Sequence, residues 1–170
     1  MMDLITILTP TYNRADLLPR LYKSLLAQTS HHFEWLVVDD GSTDATQAYM
    51  QSILIENHPF PIYYYPKANG GKHTAVNFGV EKAQGALLFI ADSDDMLAED
   101  AIETVLSVWE GVKDKADCGG VCCLDGELHS GKVLGSGLTP TDKDIFITVK
   151  GEKLRAVDAT SAELSYNYGV

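Results

Sequence analysis

The sequence predicts an α/β fold in which a mostly parallel sheet is covered by helices on both faces. Short apolar runs alternate four times with segments whose apolar residues recur at helical spacing. The connections between these elements have the lengths that suit right-handed crossovers between parallel strands. A chain of 170 residues with 45% hydrophobic and 22% charged residues is large enough to bury a core, and its composition is that of an ordinary globular domain.

Four apolar runs predict the strands. They are rich in branched or aromatic residues and are bounded by turn-forming residues, as expected of strands buried in a parallel sheet. Pro10 follows the first run, and we expect it to end that strand. The predicted strands are Leu4–Thr9, Phe33–Val38, Ile62–Tyr65 and Ala86–Ala91.

Four segments between and after these strands predict helices. The first has leucines at the spacing of one helical face and follows Asn13, a residue that suits an N-cap. The second is expected to open at Ser42-Thr43-Asp44, which also contains capping residues. The predicted helices are Arg14–Gln28, Ser42 to about Glu56, Lys72–Lys82 and Glu99–Val112.

The charge of the chain argues against several classes of partner. With 13 lysines and arginines against 24 aspartates and glutamates, the formal net charge is −11. Such a chain repels nucleic acids and anionic membrane surfaces, so a phosphate-bearing ligand would need a metal ion or backbone N–H groups. The apolar start at Leu4–Leu8 is too short for a membrane span or a signal-peptide core and has no basic leader, which predicts a cytoplasmic chain without a transmembrane segment.

Polar and glycine-rich segments follow each of the four predicted strands. In an open parallel sheet, ligands bind at the carboxyl ends of the strands because helix N-termini and loop N–H groups converge there. We therefore expect one crevice formed by four segments, which are Pro10–Asn13, Asp39–Ser42, Asn69–Lys72 and Asp92–Asp95.

The turn Asp92-Ser93-Asp94-Asp95 is the strongest candidate for a metal site. Three carboxylates within four residues repel one another unless solvent or a cation compensates their charge. Carboxylates suit Mg²⁺ or Mn²⁺, which take one or two of them together with water and substrate phosphates. The alternative is a solvated acidic turn ahead of the helix that starts near Glu99. The position of the turn directly after an apolar strand favours the metal site.

Two further segments have both a functional and a structural interpretation. One carboxylate of Asp39-Asp40 could accept a hydrogen bond from a nucleobase N–H, or could simply help to cap the next helix. Asn69-Gly70-Gly71 could bring its backbone close to a ligand, or could form a plain turn. Lys72 adds a positive charge to this segment, and Asn77 is a candidate buried amide that ties the following helix to the turn.

The four segments together resemble the successive signatures of the family 2 glycosyltransferases, which have the GT-A fold, a Rossmann-like α/β fold. The matching residues are Thr9–Arg14, Val37–Asp44, Asn69–Gly71 with Ala75, Asn77 and Gly79, and Asp92–Asp95. The match covers roughly residues 2 to 100 and fades through Cys123. It implies metal-dependent transfer of a sugar from a nucleotide-sugar, most often a UDP-sugar, to a saccharide or glycoconjugate acceptor, with inversion.

The resemblance assigns roles in the nucleoside pocket by position. Pro10 and Tyr12 would line the pocket, with Tyr12 against the base or ribose, and Asp40 would accept a hydrogen bond from the base. Lys72 falls where such enzymes contact uridine or phosphate. Asn69 and Asn77 belong to the same signatures, and we include them among the residues expected to bind the nucleotide-sugar.

The resemblance also assigns roles at the acidic turn. Asp92 would lie near the ribose, with Ser93 beside it in the nucleotide-sugar site. Asp94 would ligate the Mn²⁺ or Mg²⁺ that bridges the two phosphates. A cation there stabilises the negative charge that grows on the departing nucleoside diphosphate.

The general base of an inverting enzyme is the part of the pattern that we do not find. It is expected in an acidic pair well beyond the metal motif, but Glu99-Asp100 follows the turn too closely and is typical of a helix N-terminus. We therefore expect residues 1–124 to form the nucleotide-sugar-binding core, and residues 125–170 to hold a loop or hairpin and an incomplete start of the acceptor side. On this prediction the chain is truncated, and the base lies outside it.

Two other functions stay open. The chain could be a nucleotide-sugar-binding module without catalysis, which the missing base favours. Asp92-Ser93-Asp94 also resembles the first motif of Mg²⁺-dependent phosphatases of the haloacid dehalogenase type, although that motif normally lies on the first strand and has Thr or Val where Met96 stands. The usual role of the glycosyltransferase family is the assembly of cell-surface polysaccharides or other glycoconjugates at the inner face of a membrane. By analogy, this role would imply peripheral membrane association through regions outside this chain.

Overall fold

The predicted parallel sheet is present in the computed structural model, which describes residues 3–115 and 120–121 and the backbone of segments 125–126, 133–134 and 156–158. The parallel strands are β1 (Ile5–Thr11), β2 (Phe33–Asp39), β3 (Ile62–Pro66) and β4 (Leu87–Ile90). β5 (Asp125–Gly126) and β6 (Val133–Leu134) form a separate antiparallel pair, and β7 (Ala156–Asp158) lies antiparallel to β4. The order across the main sheet is β3-β2-β1-β4-β7.

Helices cover both faces of this sheet, as predicted. They are α1 (Leu18–Leu26), α2 (Thr46–Leu54), α3 (Lys72–Lys82) and α4 (Ala101–Val112). Apolar side chains of α1, α2 and α4 form one buried cluster with Ile5 and Ile7 of β1. On the other face, Ala75 and Val76 of α3 pack in a second cluster with Leu8 of β1. Among the described residues, no helix is long and apolar enough to cross a bilayer.

The prediction that Pro10 ends the first strand is wrong. β1 continues to Thr11, and Pro10 pairs with Val38 of β2. The pairing of β1 with β4 runs only from Ile5 to Leu8. Pro10 therefore lies where β1 has a sheet neighbour on one side only, and a residue without an N–H is tolerated at such a position.

The first two helices begin later than predicted, at Leu18 and Thr46. Asn13 does not cap the first helix; it adopts a φ of 52°. Its side-chain oxygen accepts a hydrogen bond from the N–H of Thr43 at 2.8 Å, and its own N–H donates to the hydroxyl of Ser42 at 2.8 Å. Asn13, Ser42 and Thr43 thus join the loop after β1 to the loop after β2, while Asp44 accepts a hydrogen bond from the N–H of Thr46, the first residue of α2, at 2.9 Å.

The predicted division into residues 1–124 and 125–170 stays a prediction. The antiparallel β5 and β6 fall within the segment that we expected to be a loop or hairpin. Apart from β6 and β7, residues 127–170 lie outside the described part of the chain.

Candidate functional site

A cleft of about 510 Å³ opens at the carboxyl ends of the four parallel strands. The strand order reverses between β1 and β4, which is the position where open α/β sheets bind their ligands. All four segments that the sequence singled out contribute to this cleft. The lining residues are Pro10, Thr11, Tyr12, Arg14, Asp40, Asn69, Gly71, Lys72, Ala75, Asp92, Ser93 and Asp94.

Among the predicted site residues, Asn77 is the one that does not line the cleft. It is exposed on α3, so the expectation of a buried amide is wrong. The buried face of α3 carries Ala75, Val76 and Gly79, and the helical period turns Asn77 away from it. Its assignment to the nucleotide-sugar stays a prediction.

The acidic segment after β4 forms a tight turn at the cleft. The N–H of Asp95 donates a hydrogen bond to the carbonyl of Asp92 at 3.0 Å. The ammonium of Lys72 lies 2.7 Å from Oδ1 and 2.8 Å from Oδ2 of Asp92. Ser93 is buried, whereas Asp94 is exposed at the cleft. Lys72 thus compensates part of the negative charge and leaves Asp94 as the more accessible carboxylate.

A polar stripe on and just after α1, formed by Arg20, Ser24 and Gln28, holds the chain that follows β4. The guanidinium of Arg20 donates a hydrogen bond to the carbonyl of Asp94. The buried hydroxyl of Ser24 accepts a hydrogen bond from the N–H of Leu97 at 3.1 Å. Side chains spaced four residues apart lie on one face of a helix, so one face of α1 supports the acidic turn and its exit.

Gln28, the third member of the polar stripe, makes three hydrogen bonds with its side chain. Its amide nitrogen donates hydrogen bonds to the carbonyl of Ala98 at 2.7 Å and to that of Ser24 at 2.9 Å. Its side-chain oxygen accepts a hydrogen bond from the N–H of Ile102 at 3.1 Å. That N–H lies in the first turn of α4, where no intrahelical acceptor exists. Gln28 therefore fixes both the segment before α4 and the start of α4.

Asp40 is a carboxylate that is 3% exposed and lies at the edge of the cleft. Its Oδ1 accepts hydrogen bonds from the ammonium of Lys67 at 2.5 Å and from the N–H of Gly70 at 3.0 Å, and its Oδ2 accepts one from the N–H of Gly71 at 2.7 Å. Burial alone raises the pKa of Asp40, but these hydrogen bonds and the charge of Lys67 outweigh burial and lower it. Asp40 is therefore ionised near neutral pH and can only accept hydrogen bonds.

The segment Asn69-Gly70-Gly71 wraps around Asp40. The side-chain amide of Asn69 donates a hydrogen bond to the carbonyl of Asp40 at 2.9 Å. Gly71 has a φ of 93°, a value that glycine adopts without steric cost, and its N–H points at the Asp40 carboxylate. The paired glycines therefore form a turn that holds Asp40 and contributes Gly71 to the wall of the cleft, and a close approach of this backbone to a ligand stays a prediction.

Asp39 has a supporting position beneath the same loop. Its Oδ1 accepts a hydrogen bond from the N–H of Ser42 at 2.8 Å, and its Oδ2 accepts one from the hydroxyl of Tyr64 at 2.5 Å. Burial, and then this hydrogen bond to Asp39, raise the pKa of the Tyr64 hydroxyl. Asp39 thus supports the turn after β2 and does not cap α2, which begins only at Thr46, whereas Asp40 is the member of the pair that lines the cleft.

Three basic residues at or near the cleft were not predicted from the sequence. Arg14 is exposed and lines the cleft, Lys67 contacts Asp40, and Arg20 contacts the acidic turn. Arg14 and Lys67 lie next to the predicted segments, within one or two residues of Asn13 and Asn69. Opposite charges at neighbouring strand ends could have indicated Arg14 and Lys67, whereas Arg20 lies within α1 and has no such signal in the sequence.

The donor set at the cleft fits a Mg²⁺ or Mn²⁺ that shares its ligands with a bound substrate. In the described part of the chain, no group of three or more His, Cys, Asp or Glu side chains could hold a metal ion. Asp94 offers one exposed carboxylate at the cleft, and Mg²⁺ commonly takes one or two carboxylates when substrate phosphates supply further oxygens.

Comparison with protein families identifies the chain. The model of the family described as "Glycosyl transferase family 2" matches residues 6–148. This chain belongs to that family. Two bacterial relatives agree: an uncharacterised glycosyltransferase of Haemophilus influenzae is 36% identical over 106 residues, and the glycosyltransferase GlyG of Streptococcus pneumoniae is 32% identical over 105 residues. Each alignment covers 62% of this chain, but only 42% and 35% of the respective relative.

Solved structures give the same fold. A mannosyltransferase from Pyrobaculum calidifontis in complex with GDP-Man and Mn²⁺ matches with a TM-score of 0.63 and 26% identity over 71% of this chain and 35% of that chain. Residues 1-349 of S. aureus TarS in complex with UDP-GlcNAc match with a TM-score of 0.65 and 23% identity over 78% of this chain and 37% of that chain. The expected GT-A fold is therefore confirmed.

Membership of the glycosyltransferase family argues against the phosphatase alternative. Its motif was expected on the first strand of a domain, whereas Asp92 follows β4, the fourth strand along the chain. The family match extends over residues 6–148 and includes all four polar segments of the cleft.

Proposed function

We propose that this chain carries the donor site of an inverting glycosyltransferase that transfers a sugar from a UDP-sugar to a saccharide or glycoconjugate with the help of a divalent metal. One observation carries this proposal. The cleft brings together an exposed aromatic ring, an ionised acceptor, a cation and an accessible carboxylate, which are Tyr12, Asp40, Lys72 and Asp94. This combination suits a nucleoside diphosphate with its metal ion, and membership of the glycosyltransferase family supports the reaction class.

The nucleoside half of the donor is assigned to the walls formed after β1, β2 and β3. Tyr12 is 47% exposed and offers a ring face for the base or ribose, beside Pro10. Asp40 would accept a hydrogen bond from the base, and Asn69 would hold the loop around it. Burial of this exposed ring on binding would favour the complex through apolar contact.

The diphosphate half is assigned to the basic and acidic side chains at the other end of the cleft. Lys72 and Arg14 supply positive charge, which the net charge of −11 makes necessary. Asp94 would ligate Mn²⁺ or Mg²⁺, with Asp92 near the ribose. The bound cation would stabilise the negative charge that develops on the leaving diphosphate. The mannosyltransferase structure that holds GDP-Man and Mn²⁺ supports this assignment.

Inverting transfer requires one group that the described cleft does not offer. The acceptor hydroxyl oxygen forms a bond to the anomeric carbon as the bond from that carbon to the phosphate oxygen breaks, and a general base takes the hydroxyl proton. The carboxylates of Asp40, Asp92 and Asp94 are already assigned to the nucleobase, the ribose and the metal ion, respectively. We therefore assign the general base to residues outside the described part of the chain. A binding module without catalysis is the second candidate for the same reason.

Two measurements on the 170-residue chain test the proposal. Calorimetric titration with UDP, GDP, CDP and ADP in the presence of Mn²⁺ should give the tightest binding with UDP. Release of UDP from UDP-sugars, with and without saccharide acceptors, then separates a transferase from a binding module. A chain that binds none of these nucleotides would contradict both candidates, and nucleotide binding without any UDP release would favour the binding module.

A further inference from the structure

Lys67 is a cation whose hydrogen-bonding capacity is used inside the protein. Its ammonium donates to Oδ1 of Asp40 at 2.5 Å, to the carbonyl of Ala68 at 2.7 Å and to the hydroxyl of Thr74 at 2.8 Å. An ammonium has three donors, so these contacts account for all of them. The side chain is 20% exposed, and it is not among the residues that line the cleft. Lys67 is therefore placed to shape the site and not to bind phosphate, unlike Lys72.

The contacts of Lys67 decide what Asp40 can offer to a ligand. Each oxygen of a carboxylate accepts about two hydrogen bonds. Oδ1 already accepts from Lys67 and from the N–H of Gly70, whereas within the described residues Oδ2 accepts only from the N–H of Gly71. One acceptor position on Oδ2 thus stays available, and the carboxylate cannot rotate without losing its bond to Lys67.

We propose that Lys67 is a positioning residue that sets the nucleobase selectivity of the donor site. The inference rests on the proposed function, because it requires the base to contact Asp40. By occupying Oδ1, Lys67 holds an acceptor-only carboxylate in one orientation. A base that presents an N–H there, such as the imide N–H of uracil, gains a hydrogen bond to a charged group. A base that presents a lone pair there, such as N3 of cytosine, places an acceptor next to Oδ2 of Asp40, which is also an acceptor, so that no hydrogen bond forms.

UDP and CDP form the pair of probes that isolates this effect. They share the ribose and the diphosphate and differ only at the edge of the pyrimidine. Damage to the metal site or to the phosphate site lowers the affinity for both nucleotides alike, and so does partial unfolding. A change in the ratio of the two affinities therefore reports on the base contact alone.

The test compares Lys67→Met with wild type and with Lys23→Met, a control that removes an exposed lysine of α1. Calorimetry with Mn²⁺ gives the dissociation constants of UDP and CDP for each chain. The preference for UDP over CDP should fall about tenfold in Lys67→Met, the size expected for a hydrogen bond that involves charged groups. It should not change in Lys23→Met. Thr74→Val removes one anchor of the ammonium together with the long contact of 3.5 Å between the Thr74 hydroxyl and Oδ1 of Asp40, and it should shift the ratio in the same direction by less.

The outcomes distinguish this inference from the proposed function. A folded Lys67→Met chain that keeps the wild-type ratio within about twofold would overturn the role of Lys67, since about tenfold is expected. If Lys67→Met does not fold, Thr74→Val decides, and an unchanged ratio overturns the role. A wild-type chain that binds CDP as tightly as UDP overturns it as well, with nucleotide binding intact. A wild-type chain that binds neither nucleotide overturns the proposed function, and this inference with it.

Discussion

Replacing Gln28 with Met should destabilise the fold and loosen the support of the acidic turn. Gln28 is 3% exposed and makes side-chain hydrogen bonds to the carbonyls of Ser24 and Ala98 and to the N–H of Ile102. Methionine keeps the length of the side chain, so the loss of these bonds is isolated from the loss of volume. Each bond contributes about 1 kcal/mol net, and buried partners left unsatisfied add to this, so we expect a total of about 3 kcal/mol.

Thermal and urea unfolding of the 170-residue chain measure this loss directly. For a domain of this size, about 3 kcal/mol corresponds to a fall in Tm of roughly 6 to 12 °C. Gln51→Met is the matched control, because Gln51 is exposed on α2 and should change the free energy of unfolding by less than about 0.5 kcal/mol. If Gln28→Met stays within about 1 kcal/mol of wild type, the contacts between the polar stripe and the start of α4 do not contribute as described.

Two further predictions concern the loop around Asp40. Because Gly71 has a φ of 93°, Gly71→Ala should destabilise the chain by about 1 to 2 kcal/mol. Gly111 lies in α4 with open space around an added methyl group, so Gly111→Ala should stabilise the chain by about 0.5 to 1 kcal/mol. Urea unfolding that gives both changes in free energy the same sign would contradict this contrast. The pKa of Asp40 is lowered in the folded state, so its charge stabilises the fold above the ordinary carboxyl pKa, and this contribution is lost as the pH falls through the folded pKa. The difference in unfolding free energy between wild type and Asp40→Asn should therefore be largest near neutral pH and should shrink below about pH 4. A difference that stays constant from pH 7 to pH 3, about one unit below the ordinary pKa, would refute this contribution of the Asp40 charge.

The features that were predicted correctly from the sequence depend on local patterns. α3 has the predicted bounds of Lys72 and Lys82, because paired glycines before it and an apolar face along it are visible within one segment. The four polar segments reach one cleft because a parallel sheet must bring the carboxyl ends of its strands together. The sheet topology thus brings the segments that are recognisable in the sequence into one site, and all but one of the predicted site residues line the cleft.

Most of the features that were not predicted depend on contacts between distant segments. α1 starts at Leu18 for a local reason that the prediction overlooked, since Pro19 lacks an N–H and fits only in the first turn of a helix. The loop before α1, in contrast, is held by distant groups, because the N–H of Arg14 donates to the hydroxyl of Thr46 and that of Ala15 donates to the carboxylate of Asp44. Nothing near Arg14 in the sequence reveals these partners. The roles of Lys67 and Gln28 are hidden for the same reason, since the groups that they bind lie in other loops and become neighbours only in the folded sheet.

The most direct test of the donor and metal site is titration with UDP in the presence and absence of Mn²⁺, for wild type and for Asp94→Ala. We expect Mn²⁺ to strengthen UDP binding by about tenfold or more, and Asp94→Ala to abolish this gain. Asp114→Ala, which removes an exposed carboxylate just after α4, should keep the gain. UDP binding that is equally tight without the metal and survives Asp94→Ala would contradict a metal-dependent donor site at Asp94.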